Sequence, residues 1–169
     1  MLKPRLRQQL AELNAVPSVA CTMPEQDMSN LPVIHLLANW FESAGFACEL
    51  MPVSKGKANL IAVRAGTDPT ATGGLVLAGH SDTVPFDEAL WQSDPFKMTE
   101  RDGKLYGLGM ADMKGFFALI LEAVTAYAKT PFKAPLIVVA TCDEETSMAG
   151  ARALMQHSKT KGRFTLIGE

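Results

Sequence analysis

The amino-acid sequence predicts an α/β fold, a three-layer α/β/α sandwich around a mostly parallel central sheet. Short apolar runs such as LVLA (residues 75–78) and PLIVVAT (residues 135–141) are typical of strands that are covered on both faces. Amphipathic segments alternate with these runs, as in α/β proteins with parallel strands. The chain has 169 residues, 47% of them hydrophobic, and no repeat or linker divides it. We therefore expect one domain with its own core.

The first half of the chain contains one predicted helix and two predicted strands. Apolar residues recur at helical spacing over residues 31–44, and Gly45 ends the pattern. Strands are predicted over residues 59–64 and 75–78, with the turn-forming sequence AGTDPTATGG between them. Both strands are expected to lie in the central sheet.

The second half contains a predicted hairpin, two helices and two strands. The sequence FKMTERDGKLYG is typical of a hairpin with Asp102 and Gly103 in its tight turn. Helical spacing is clearest over residues 113–124, and a further helix is predicted over residues 146–157. The strand at residues 135–141 separates these helices, and residues 164–168 begin another strand. This order of elements supports the layered α/β prediction.

Composition excludes several classes of protein. A formal net charge of −2 provides no basic field, so nucleic acid and anionic membrane are not expected partners. No apolar run approaches the roughly 18–20 residues that span a bilayer, and we see no secretory leader. Three widely spaced cysteines (Cys21, Cys48 and Cys142) suggest neither a disulfide framework nor a thiolate zinc site. We expect a cytoplasmic protein.

One histidine and six carboxylates fall at the ends of predicted strands or at the start of the clearest helix. These residues are His80, Asp82, Asp112, Asp143, Glu144, Glu145 and Glu169. The carboxyl ends of parallel strands meet at one edge of a sheet, so we expect these groups to converge there. Because crowded carboxylates repel one another, a cation is expected among them. Zinc is the favoured ion for mixed imidazole and carboxylate ligands.

Each of these residues also has a simpler interpretation. Asp112 occupies the N-cap position of its predicted helix, a role that aspartate fills readily. The acidic sequence DEET could complement a helix dipole, and Asp82 could stabilise a turn. Taken one at a time, these interpretations are preferred. They explain less well why all the acidic groups lie at the same predicted edge of the sheet.

Four sequence motifs carry a resemblance to a known family. GHSDTVPF, GLGMADMKGFFA, DEETSMAGA and the final IGE occur in the order of the signatures of the co-catalytic dizinc aminoacylase and carboxypeptidase family. The similarity also covers WQSDPFKMTERDGKLYGLG and extends over almost the whole chain. MKGFFA and DEETSMAGA are most similar to the deacetylase branch of that family. The resemblance implies a zinc-peptidase-like catalytic domain.

The resemblance implies a role for each candidate residue. His80 and Glu169 would bind one zinc ion, Glu145 the second, and Asp112 would bridge the two. The implied functions of the other two residues are different. Asp82 would orient the His80 ring, and Glu144 would be the general base.

The implied activity is hydrolysis of an N-acylated amino acid. The deacetylase branch converts N2-acetyl-L-ornithine and water to L-ornithine and acetate, a step of arginine biosynthesis. Two zinc ions are expected per complete site, with cobalt as a substitute, and full-length relatives are expected to form homodimers. Two alternatives stay open. One is a related enzyme, such as a succinyl-diaminopimelate desuccinylase or a dipeptidase, and the other is a non-catalytic zinc-binding fragment.

The resemblance also implies that residues 1–169 are only the N-terminal part of the catalytic domain. Its C-terminal part, with a further zinc-binding histidine, and an inserted dimerisation or lid domain are absent from the sequence. His35 and His157 lie in predicted helices and are not expected to replace that histidine. If residues 164–168 form a strand, its apolar edge would be uncovered, so we expect marginal stability or self-association.

Overall fold

The computed structural model describes residues 2–71, 73–155, 157 and 160–169. Its helices are α1 (Pro4–Asn14), α2 (Leu31–Ser43), α3 (Gly115–Ala126) and α4 (Ala149–Leu154). Its strands are β1 (Ala47–Ser54), β2 (Lys57–Arg64), β3 (Leu75–His80), β4 (Thr99–Arg101), β5 (Lys104–Tyr106), β6 (Leu136–Thr141) and β7 (Phe164–Ile167). A short 3₁₀ turn, Glu88–Leu90, precedes the hairpin. Each strand predicted from the sequence is therefore present.

The central sheet has five strands in the order β1-β2-β6-β3-β7. Strand β3 lies between β6 and β7 and is parallel to both. Strand β2 is antiparallel to its neighbours β1 and β6, so the other strands all run in one direction. The predicted α/β fold is confirmed, and β2 makes the sheet mixed. The hairpin β4–β5 forms a separate two-stranded sheet with Asp102 and Gly103 in its turn.

The two faces of the central sheet are covered unequally. Helices α1, α2 and α3 pack against one face in the main hydrophobic core, which includes Phe41 of α2 and Phe117 of α3. On the opposite face, Val76, Ile137 and Val139 form a small cluster against Leu154 of α4. Side chains alternate along β6 between these two cores, as the pleat of a strand requires. The predicted three layers are present, with a thin third layer.

Two elements were not predicted from the sequence, for different physical reasons. Helix α1 is mostly polar, and two of its four buried residues, Gln9 and Asn14, are polar too, so its apolar periodicity is weak. Strand β1 contains Pro52, which cannot donate a ladder hydrogen bond and is tolerated because β1 lies at the edge of the sheet.

Two helix boundaries differ from the prediction. The helix predicted over residues 146–157 begins only at Ala149, because Met148 has a left-handed φ of 55°. Its described part ends at Leu154, and residue 156 lies outside the described residues. The N-cap of α3 is Lys114 rather than Asp112. Asp112 lies in a turn that precedes the helix, in which the Lys114 N–H donates a hydrogen bond to the Gly109 carbonyl. The N-cap interpretation of Asp112 was therefore wrong.

Strand β7 pairs with β3 and exposes apolar side chains. Phe164 is 63% exposed and Ile167 is 62% exposed. The apolar edge expected from the sequence is thus present in the structure. None of the helices in the described part of the chain is long and apolar enough to cross a membrane.

Candidate metal centre

The candidate site lies at the carboxyl end of the parallel strands. His80 is the last residue of β3 and pairs with Thr141, the last residue of β6. The acidic sequence Asp143-Glu144-Glu145 therefore starts two residues beyond the same edge. Glu169 follows β7, whose last residue pairs with Ala78 of β3. The sheet register is what brings these distant parts of the sequence together.

Two overlapping groups of metal-ligating atoms share His80. In one group, atoms of His80, Asp112 and Glu145 all lie within 4.8 Å of one another. In the other, atoms of His80, Glu144 and Glu169 do the same. The closest contact joins His80 Nε2 to Asp112 Oδ1 at 3.0 Å. The five residues that the sequence predicted as ligands or base are therefore brought to one place.

The charges of this site favour a bound cation. Burial raises the pKa of Glu145, and the negative charges of Asp112 and Glu144 raise it further. One carboxylate oxygen of Glu145, Oε1, is buried and has no hydrogen-bond partner among the described residues. A divalent cation would satisfy this oxygen and reverse the repulsion. The donor set therefore fits a metal ion.

Asp82 supports two of these donors, but not in the manner expected. The main-chain oxygen of Asp82 lies 3.0 Å from His80 Nδ1, whereas its carboxylate Oδ1 is 3.7 Å from that nitrogen. The other carboxylate oxygen accepts a hydrogen bond from the main-chain N–H of Glu145 at 3.1 Å. Because Asp82 is buried, its pKa is raised. In this structure the main chain of Asp82 orients His80, and its carboxylate holds Glu145.

A buried polar network fixes the end of β3 below the site. The hydroxyl of Ser81 donates to the Thr141 carbonyl at 2.8 Å and accepts from Asn30 Nδ2 at 2.8 Å. Ser18 donates to the Ser81 carbonyl at 2.7 Å. These residues were not predicted from the sequence, where the signal is slight: Ser81 lies between the histidine and the aspartate at the end of a predicted strand. The network holds the His80–Asp82 segment against β6.

Two buried lysines were also missed as structural features of this region. The ammonium of Lys114 donates to the Leu13 and Val16 carbonyls at 3.0 and 2.7 Å, and burial lowers its pKa to about 8. The ammonium of Lys57 lies 2.7 Å from Asp27 and 3.0 Å from Asp143. Neither lysine has a sequence signal that separates it from a surface lysine.

The other histidines of the described residues lie outside the two donor groups. His35 is exposed on α2. His157 Nε2 lies 3.0 Å from Glu49 Oε1, and His157 lies beyond the end of α4. Within the described part of the chain, His80 is thus the histidine that contributes to the candidate metal centre.

Comparisons with known proteins agree with this geometry. Residues 76–169 match the model of "Peptidase family M20/M25/M40". Acetylornithine deacetylase of Pasteurella multocida is 50% identical over 168 residues, which are 98% of this chain and 43% of that protein. The enzyme of the same name from Proteus mirabilis is 51% identical over 160 residues, which are 94% of this chain and 40% of that protein.

The fold has a solved counterpart. A "M20 family metallo-carboxypeptidase" from Sulfolobus solfataricus superimposes with a TM-score of 0.80 at 20% identity, over 99% of this chain and 37% of that chain. This similarity shows the fold. The chain spans less than half the length of the curated relatives described above. The matched region contains all but the first residue of β3, the whole of α3, β6 and β7, and all the donors of the candidate metal centre; the chain belongs to peptidase family M20/M25/M40.

Proposed function

We propose that this chain carries most of the active site of a metal-dependent amidohydrolase acting on N2-acetyl-L-ornithine. The observation that carries the proposal is the convergence on His80 of four carboxylates at one edge of the sheet. About half of the residues are identical to those of acetylornithine deacetylases, and this similarity supports the choice of substrate. The proposed products are L-ornithine and acetate.

Zinc is the proposed metal, with two ions in a complete site and cobalt(II) as a substitute. Imidazole and carboxylate ligands suit zinc in hydrolytic sites. His80, Asp112, Glu145 and Glu169 are the residues that would hold the two ions. A divalent cation at such a site supplies a Lewis acid for the amide carbonyl and lowers the pKa of water.

The side chains of the chain would then carry out the proton transfers. Glu144 accepts a proton from the attacking water as the water oxygen bonds to the amide carbon. When the carbon–nitrogen bond breaks, Glu144 returns that proton to the leaving α-amine of ornithine. Asp82 keeps His80 and Glu145 in place through the two hydrogen bonds described above. The reaction is balanced, since one water adds across one amide bond.

The length of the relatives bears on the rest of the site. We propose that residues 1–169 correspond to the N-terminal part of the catalytic domain. In full-length relatives, a further histidine ligand and a dimerisation domain would come from the remaining sequence. The homodimer and the cytoplasmic location expected from the sequence belong to this proposal.

The proposal is tested by assaying the purified chain with zinc or cobalt(II) and three substrates. These are N2-acetyl-L-ornithine, N-succinyl-diaminopimelate and a dipeptide, with the released amine as the readout. We expect measurable release of ornithine and slower hydrolysis of the other two. Faster hydrolysis of either competitor would overturn the substrate assignment. Metal binding without any turnover would instead favour the non-catalytic alternative.

A further inference from the structure

Lys57 is a buried cation that sits beside the candidate metal centre without belonging to it. Its side chain is only 6% exposed, and its ammonium lies 2.7 Å from Asp27 Oδ1 and 3.0 Å from Asp143 Oδ1. Burial alone would lower the pKa of Lys57, but the two carboxylates outweigh it and the pKa is raised. Lys57 is therefore a charged side chain that forms ion pairs with two aspartates that are far apart in sequence.

The ion pair with Asp143 connects Lys57 to the loop that carries Glu144 and Glu145. Strand β2 is antiparallel to β6, and its register, continued past the end of β6, brings Lys57 opposite Asp143. Asp143 has a left-handed φ of 55°, which is uncommon for a residue with a side chain. Its carbonyl accepts hydrogen bonds from Ser147 N–H and Met148 N–H, which fold the loop back on itself.

Asn59, on the same face of β2, forms hydrogen bonds with the same loop. Its side-chain oxygen accepts from Cys142 N–H at 3.0 Å, and its side-chain nitrogen donates to the Gly150 carbonyl at 2.8 Å. Since residues two apart on a strand point to the same side, Lys57 and Asn59 act on the loop together. Asn59 holds the two ends of the loop, and Lys57 holds the residue just before Glu144.

The ion pair with Asp27 connects Lys57 to the segment at the end of β3 that contains His80 and Asp82. Asp27 Oδ1 also accepts from Cys21 N–H at 3.1 Å. One residue earlier, Ala20 N–H donates to the Thr83 carbonyl, and Thr83 N–H donates to the Ser18 carbonyl. Thr83 directly follows Asp82. A continuous chain of contacts thus joins the segment after β3 to the loop after β6 through the ammonium of Lys57.

We propose that Lys57 is a positioning residue that sets Glu144 and Glu145 at the correct distance from His80. The ammonium holds Asp143 in its left-handed conformation, and this conformation turns the two following glutamates towards the donor groups. Removal of the ammonium also leaves Asp27 and Asp143 with unpaired negative charges in a half-buried environment. The inference rests on the proposed function, because it concerns the same metal centre.

The test uses cobalt(II) binding by the full 169-residue chain. The key variant replaces Lys57 by Met and both Asp27 and Asp143 by Asn, so that no unpaired charge is left behind. The matched control is Leu37→Ala, which removes buried side-chain volume in α2 and lowers stability without touching the site. Each protein is titrated with cobalt(II) at 10 °C against a competing chelator, and its visible d–d spectrum and thermal midpoint are recorded.

We expect the triple variant to lose cobalt affinity by about 10- to 100-fold, with a changed d–d spectrum, as for other residues that support metal ligands. The single variant Lys57→Arg, which keeps a cation beside Asp27 and Asp143, is expected to bind cobalt(II) more tightly than the triple variant and less tightly than the wild type. The Leu37→Ala control is expected to keep wild-type affinity and spectrum despite its lower thermal midpoint. Equal affinity and spectra for the triple variant and wild type would overturn the role of Lys57.

Two further outcomes are informative. If Leu37→Ala loses affinity as the triple variant does, the loss follows stability, and the positioning role is overturned. If the wild-type chain itself binds no cobalt(II), the proposed metal centre fails, and the inference about Lys57 falls with it. The failure of the proposed function is thus distinguishable from the failure of the inference alone.

Discussion

At the scale of single residues, Glu144 has two competing interpretations. Sequence similarity implies that it is a general base, yet in the structure its carboxylate belongs to a donor group with His80 and Glu169. If Glu144 is a ligand, removing its negative charge should weaken metal binding. If it is a general base, the same change should stop proton transfer and leave the metal bound. The same substitution therefore separates the two roles.

We expect Glu144→Gln to lower turnover of N2-acetyl-L-ornithine by about 10²- to 10⁴-fold, because the amide cannot accept the proton. The metal content of the variant is expected to equal that of the wild type. Turnover is measured by ornithine release, and bound metal by atomic emission after dialysis. Loss of metal from this variant would show that Glu144 is a ligand, and substantial residual activity would contradict its role as base.

The cysteines give a residue-scale prediction that depends on pH. Burial raises the pKa of Cys48 to about 11, with a further increase from the charge of Glu42. The reactive thiolate becomes more abundant as pH rises towards that pKa. We expect the alkylation rate of Cys48 to rise about tenfold per pH unit between pH 8 and pH 10. Mass spectrometry of the iodoacetamide-treated chain measures this rate, and a plateau near pH 9 would contradict the assignment.

At the scale of elements, the loop between β6 and α4 leaves no room for a side chain at Gly150. A Cβ atom added at Gly150 would lie 2.5 Å from the Cys142 carbonyl oxygen, 2.6 Å from the Cys142 nitrogen and 2.5 Å from Asn59 Oδ1. These atoms belong to the contacts that close the loop. Backbone atoms cannot move aside cheaply, so a side chain at this position must displace the loop.

We therefore expect Gly150→Ala to weaken metal binding through displacement of Glu144 and Glu145, and to lower the thermal midpoint. Ala151→Ser, one residue further along α4, is the control for a small change in the same helix. Zinc affinity and thermal unfolding are compared for both variants. Wild-type zinc affinity in Gly150→Ala would show that the loop has more freedom than the structure indicates.

Some of the strands and site residues could be predicted from the sequence alone, and others could not. Strands β3 and β6 were predicted because they are apolar runs, and His80 and Glu145 were candidates because they lie at or just beyond the ends of those runs. Strand β1 was not predicted, since an edge strand with a proline lacks that signal. Lys57 could not be predicted as part of the site, because its partners lie in loops distant in sequence and only the register of β2 and β6 brings Asp143 to it.

At the scale of the whole molecule, the two faces and edges of the sheet are covered unequally. Helices cover one face, whereas a single short helix covers part of the other. Strand β7 exposes Phe164, Leu166 and Ile167, and all three are at least 49% exposed. Exposed apolar strands of this kind favour pairing with other chains.

We expect the 169-residue chain to self-associate through β7. Replacing Leu166 by Lys places a charge on that strand and is expected to shift the chain towards the monomer. A matched control is Leu90→Lys, which changes an equally apolar but more exposed residue in the 3₁₀ turn, outside the sheet. Sedimentation velocity measures the distribution. A wild-type chain that is monomeric across the concentration range would contradict this prediction.

His80 and the surrounding carboxylates are proposed to bind the metal of an amidohydrolase. The most direct measurement is anomalous X-ray diffraction at the zinc edge from crystals of the chain grown with zinc. We expect an anomalous peak about 2.0–2.1 Å from His80 Nε2, within bonding distance of Asp112 and Glu145 or of Glu169. A zinc peak elsewhere on the protein, with none beside His80, would contradict it.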